Sequence, residues 1–178
     1  MMFTESDMLF DFSALESAEQ YDTPANQCAG LKIVDFIAED SDKQLFIEVK
    51  NFANTSANKA VQVAMDKRRT SDYLMLTNPI AAFPLEMGMK FKDSLFRWLA
   101  SGKKFRKPIA LLLVINPPKE LRARDRERLI RRIRGYIPSG MTAEQYPKMT
   151  SAFFDMQTPA DVEKYYGFSV VVKARYAR

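Results

Sequence analysis

A chain of 178 residues with a net charge of +5 and 47% hydrophobic residues has the length and composition of an ordinary globular domain. It has no His and a single Cys, Cys28. This excludes His-based zinc sites, Ser-His-Asp and Cys-His catalysis, and an internal disulfide. Any enzymatic chemistry must run on carboxylates, Lys, Tyr or a metal ion. The charge is uneven: Met1 to Glu48 holds eleven acidic and two basic residues, and the remainder eleven acidic and 25 basic. An acidic region suits cations and a basic one suits phosphates. Attraction between the two halves across the fold would give the same pattern.

The opening stretch, MMFTESDMLFDF, lacks the basic start and long apolar core of a signal peptide. The longest apolar run, Ile109 to Ile115, is too short to cross a bilayer. A single soluble, cytoplasmic domain over residues 1–178, with no membrane partner, is the expectation. Met8 to Tyr21 is predicted as a helix with Leu9, Phe12, Leu15 and Ala18 as its apolar stripe and Glu16 and Glu19 on or beside it. Thr23-Pro24-Ala25-Asn26 ends it, and Cys28 to Lys32 leads toward a sheet.

The next stretch, Leu31 to Asn51, carries the chemistry. Two β-prone runs, Leu31 to Ile37 and Leu45 to Lys50, flank the polar turn Glu39 to Lys43, the pattern of a hairpin. Strand side chains alternate faces, so Leu45, Ile47 and Val49 share one face and Phe46, Glu48 and Lys50 the other. Asp35 interrupts an otherwise apolar face formed with Ile33 and Ile37. Ionisable groups at the edge of a core are costly unless they are paired or bind an ion.

Asp35 followed by Glu48-Val49-Lys50 resembles the PD-(D/E)XK nuclease superfamily, with Val34 standing where the family pattern has Pro. The resemblance implies a restriction-endonuclease-like α/β fold, a central mixed sheet flanked by helices with an α-β-β-β-α-β core. It implies that Asp35 and Glu48 bind Mg²⁺ or Mn²⁺, with the Val49 carbonyl as a further oxygen donor and Lys50 assisting the attacking water. A Glu from the first helix joins the metal site in many members. Glu19, or else Glu16, is the candidate here. Hard divalent cations prefer carboxylate and water oxygens, and they offset the charge that develops on a phosphoryl group during hydrolysis. A solvated strand face with ordinary Glu and Lys would show the same residues.

Asn51 to Asn58 is predicted as a polar loop beside the site, and Lys59 to Arg69 as a helix. Asn78-Pro79 and Phe83-Pro84 mark interruptions. Glu86 to Ala100 is predicted as a strong helix burying Met87, Phe91, Leu95 and Trp98 or Leu99, with Lys90 or Lys92 placed to contact a phosphate. Lys103, Lys104, Arg106 and Lys107 form a basic loop that suits a nucleic-acid backbone or a plain exposed turn. Pro108 to Ile115, continuously apolar, reads as a central strand covered on both faces. Leu121 to Ile137 is predicted as a helix with seven Arg before Gly135. Its Arg124, Arg128 and Arg131 suit phosphates, and Arg122 is spaced to pair with Asp125. Residues 152–156 and 168–173 read as strands around a short helix begun by Thr158-Pro159.

The function expected from this reading is metal-dependent hydrolysis of phosphodiester bonds in DNA, with a homodimer or a partner subunit supplying specificity. The alternatives are a catalytically silent nucleic-acid- or protein-binding module on the same fold, and an interaction protein whose hairpin charges are surface decoration.

Overall fold

The computed structural model describes residues 1–26, 30–52, 82–117, 122–137 and 152–173. The predicted helix at Lys59 to Arg69, the Asn78-Pro79 break and most of the loop after Asn51 lie outside these residues, as does Cys28. The elements in chain order are β1 (Met2–Glu5), β2 (Met8–Asp11), β3 (Ser17–Gln20), β4 (Phe36–Glu39), β5 (Gln44–Asn51), α1 (Ala82–Ala100), β6 (Ile109–Asn116), α2 (Ala123–Arg134), β7 (Ala152–Gln157), α3 (Pro159–Tyr166) and β8 (Ser169–Val172).

A five-stranded mixed sheet in the order β3-β4-β5-β6-β7 forms the centre, and a three-stranded sheet in the order β1-β2-β8 lies over part of it. β3, β4 and β5 are antiparallel, and β5, β6 and β7 are parallel. Parallel neighbours need a crossover. The crossover from β5 to β6 carries α1, and that from β6 to β7 carries α2. One face of the sheet, with Phe46, Leu111, Leu113 and Phe154, packs on Met87, Phe91 and Leu95 of α1 and Leu129 and Ile133 of α2. The other, with Phe36, Leu45, Ile47 and Leu112, packs on Met8, Phe10 and Phe12 and on Val162 and Tyr166 of α3. The chain is thus mixed α/β, with a mixed sheet flanked by helices. Among the described residues no helix is long and apolar enough to cross a membrane.

Several expectations change. Met8 to Tyr21 is not a helix but β2, a turn and β3. Met8, Phe10 and Phe12 point inward at a period of two, and this alternation outweighs the weaker three-residue spacing of Leu9, Phe12 and Leu15. The fold therefore opens with strands where the expected core opens with a helix. β4 starts at Phe36, so Asp35 sits immediately before the strand, and Leu31 to Val34 is an irregular approach to it. Helix α1 begins before Pro84 instead of after it, because proline is tolerated in a first turn, where its missing N–H has no helical partner. Thr158 occupies the cap position of α3, but its hydroxyl donates to Asp161 Oδ2 at 2.7 Å and makes no cap to the backbone. β8 pairs with β2 across nearly the whole chain, outside the central sheet.

Candidate active site

The register of the β4–β5 ladder builds the site. Phe36 lies opposite Ile47, so Asp35, one residue earlier, stands level with Glu48. Directly opposed residues in an antiparallel pair share a face, and here it is the face covered by α1. Asp35 Oδ2 accepts the Val49 backbone N–H at 2.7 Å, which ties the carboxylate to β5. Asp35 is 7% exposed and Glu48 0%. The apolar side chains around them, imposed by a strand buried on both faces, make this a site of low dielectric.

Helix α1 brings the counter-charges. Asp93 Oδ2 accepts the Lys32 N–H and Ser94 Oγ the Val34 N–H, at 2.9 and 2.8 Å, so the helix is fastened to the approach to β4. One turn before Ser94, Lys90 places its Nζ 2.8 Å from Glu48 Oε1 and 3.0 Å from Oε2, and 4.0 Å from Asp35 Oδ1. Lys50 Nζ lies 3.0 Å from Glu48 Oε1 and 3.3 Å from Glu86 Oε1. Glu48 Oε1 thus lies between two ammonium groups, and Lys90 Nζ also donates to Oε2.

The electrostatics follow from burial. Desolvation, then the charge of Glu48, raise the Asp35 carboxyl well above the usual carboxylate range, against the pull of Lys90 and of the Val49 N–H. Glu48 is also raised by burial, opposed by Lys90 and Lys50. Burial pulls Lys50 down, but the carboxylates of Glu48 and Glu86 more than reverse this and hold its ammonium above its usual range. Lys50 therefore stays charged at neutral pH and acts as a fixed positive charge, not as a proton acceptor.

Two further carboxylates were not legible as neighbours in the sequence. Glu86 pairs with Lys50 from the first part of α1. Glu5 ends β1 next to a turn in which Ser6 and Asp7 both have positive φ, 51° and 60°. That turn docks against the site end of β5, where Asn51 Nδ2 donates to the Ser6 carbonyl at 2.7 Å, and the Glu5 charge reaches Asp35. A two-residue turn with both φ values positive matches strand twist, but Ser-Asp is a weak local signal for it.

Other candidates lie elsewhere. Glu19 is on edge strand β3 opposite Ile37 and pairs with Lys103 at 3.2 Å. Glu16 pairs with Lys107 at 2.7 Å. Among the described residues, no group of three or more Asp, Glu, Cys or His side chains converges as metal ligands, so neither Glu joins Asp35 and Glu48. Lys90, expected to face a phosphate, faces the carboxylates instead. Lys103 and Lys107 fasten the basic loop to β3 and β4, and Lys103 also lies 4.1 Å from the centre of the Trp98 ring. Lys104 and Arg106 are exposed in that loop. On α2, Arg126 is taken up by the Met156 carbonyl and Arg134 by the Phe154 carbonyl, while Arg131 pairs with Glu127 at 3.1 Å and Arg122 with Asp125 at 2.7 Å. Arg124 and Arg128 face solvent.

The donor set fits a hard cation. Two buried carboxylates stand side by side, and carboxylate oxygens are the donors such an ion takes. The Val49 backbone, already tied to Asp35 through its N–H, adjoins both. The chain matches no protein-family model, no curated protein and no solved structure.

Proposed function

We propose that the protein is a metal-dependent nuclease that hydrolyses phosphodiester bonds, with DNA as its substrate, on a restriction-endonuclease-like fold. One observation carries the reading: two buried carboxylates, Asp35 and Glu48, stand level on one face with the Lys50 ammonium 3.0 Å from Glu48 Oε1. The β-β-β-α-β order from β3 to β6, with three antiparallel strands followed by a helix and a parallel strand, supports the same reading.

In this reading Asp35 and Glu48, with the Val49 carbonyl, hold Mg²⁺ or Mn²⁺. When bound, the ion supplies positive charge against the phosphoryl oxygens and acidifies a water. Lys50 adds fixed positive charge on the same face, placed to stabilise negative charge as it develops. Glu86 orients the Lys50 ammonium from the helix side. Arg124, Arg128, Lys104 and Arg106, exposed on α2 and in the basic loop, are the cations open to a nucleic-acid backbone.

A second reading has an observation in its favour. The two ammonium groups already neutralise Glu48, as they would in a structural ion cluster of a silent binding module. Cleavage of plasmid and single-stranded DNA with Mg²⁺ or Mn²⁺ separates the two. The nuclease reading expects cleavage by the wild type and its loss in Asp35→Ala, Glu48→Ala and Lys50→Ala. Cleavage that survives all three substitutions, or salt-dependent DNA binding without any cleavage, overturns it.

A further inference from the structure

We propose that Lys90 is a built-in stand-in for the divalent cation: its ammonium holds the Asp35–Glu48 pair in place while no ion is bound, and an incoming ion must displace it. This rests on the metal-dependent reading above. Among the described residues, Lys90 is the one whose ammonium lies within 4.0 Å of both carboxylates. Lys50 reaches only Glu48 of the pair and is shared with Glu86.

Three physical points support the role. First, two buried carboxylates on level positions repel each other. An ammonium 2.8 and 3.0 Å from the two Glu48 oxygens and 4.0 Å from Asp35 Oδ1 opposes that repulsion. Second, the space is shared. A magnesium ion needs carboxylate oxygens at about 2.0–2.1 Å, so an ion bridging Asp35 and Glu48 takes up the volume in which the Lys90 ammonium lies. Third, the pairing is exchangeable. Glu48 Oε1 has two ammonium groups, Lys90 at 2.8 Å and Lys50 at 3.0 Å, so Lys50 still compensates its charge when Lys90 withdraws. The α1 backbone is meanwhile pinned to the approach to β4 by Asp93 and Ser94, which accept the Lys32 and Val34 N–H groups. The flexible four-carbon stem can withdraw while the helix stays in place, which a planar guanidinium could do less readily. A direct phosphate contact in the cation-free protein is disfavoured, since the Lys90 side chain is only 14% exposed.

The test is titration of the full chain with Mn²⁺ alone, by calorimetry, for wild type, Lys90→Met, Lys90→Gln and Glu48→Gln, with thermal melts of each protein with and without Mn²⁺. The stand-in role expects Mn²⁺ to bind both Lys90 variants at least about tenfold more tightly than wild type, and to raise their melting temperatures by more than it raises that of wild type. A residue that only braces the fold would leave the affinity unchanged or weaken it, and either result overturns the proposal. Where Glu48→Gln abolishes binding and the Lys90 variants match wild type, the metal site stands and the stand-in role fails. Where neither wild type nor the Lys90 variants bind Mn²⁺, the metal-dependent reading fails with it. The two Lys90 variants differ in polarity, so a folding defect in one leaves the other to decide.

Discussion

Glu48 is a buried charge held by two cations, and the sharpest prediction concerns what happens when they are removed one at a time. Removing one partner of a buried ion pair costs roughly 3–5 kcal/mol when the other is left alone. Glu48 has a spare. In Lys90→Met it keeps Lys50 at 3.0 Å, and the expected cost falls to about 2–3 kcal/mol. In Lys50→Met it keeps the doubly placed Lys90 ammonium at 2.8 and 3.0 Å. Lys50 is also the more exposed of the two, at 24% against 14%, so about 1 kcal/mol is expected. Lys50→Met/Lys90→Met together leave a fully buried carboxylate with no cation. The cost should then exceed the sum of the single losses by at least about 1 kcal/mol, a coupling typical of groups in one network. Adding Glu48→Gln to the double variant removes the stranded charge and should recover about 2 kcal/mol or more, offset by the cost of burying the amide. Urea denaturation in EDTA at neutral pH measures all of these, provided the m-value is unchanged between variants. Losses that add to within about 0.5 kcal/mol, or a Glu48→Gln addition that recovers nothing, would refute the reasoning.

Other consequences are open to direct measurement. Because the folded protein raises the Asp35 pKa, the folded state holds that proton more tightly than the unfolded chain. This contribution to stability is therefore present near pH 4, the unfolded Asp value of about 3.9, and is lost as pH rises through the folded value. The stability of Asp35→Asn relative to wild type, measured by denaturation in EDTA, should increase from pH 4 to pH 8, and a pH-independent difference would contradict the assignment. Gly88 lies where α1 meets Tyr136, and a Cβ there would overlap the Tyr136 side chain and lie 3.0 Å from its carbonyl oxygen. Gly88→Ala should destabilise by about 1–3 kcal/mol through overpacking, visible as a lower melting temperature, and an unchanged one would refute the overpacking. Arg124→Ala/Arg128→Ala should weaken DNA binding and reduce the slope of log K against log salt by about 2. Lys107→Ala, whose ammonium is engaged by Glu16 and Glu39, should leave that slope unchanged.

The Leu31 to Asn51 stretch was readable because strand periodicity is local. Alternation alone put Glu48 and Lys50 on one face, and the charged turn set the register that brings Asp35 level with Glu48. The same rule read in the wrong period hid β2 and β3. Four-residue strands offer little pattern, and one of the two partners of β2, strand β8, lies more than 150 residues away. The Ser6-Asp7 turn, with positive φ at both residues and no Gly or Asn to mark it, is likewise held by its neighbours.

What the sequence determined by itself is therefore the chemistry available and its local geometry: carboxylates and Lys in place of His, a hairpin that aligns Asp35 with Glu48, and apolar runs long enough to bury it. What only the tertiary structure decided is the charge state and company of those groups. Lys90 and Glu86 reach the site from a helix some 40 residues on, because Asp93 and Ser94 fasten α1 across the approach to β4. Periodicity assigns a side chain to a face of its own element, but which charge meets which across two elements depends on how they dock. In a buried site that docking sets the energy of every charge.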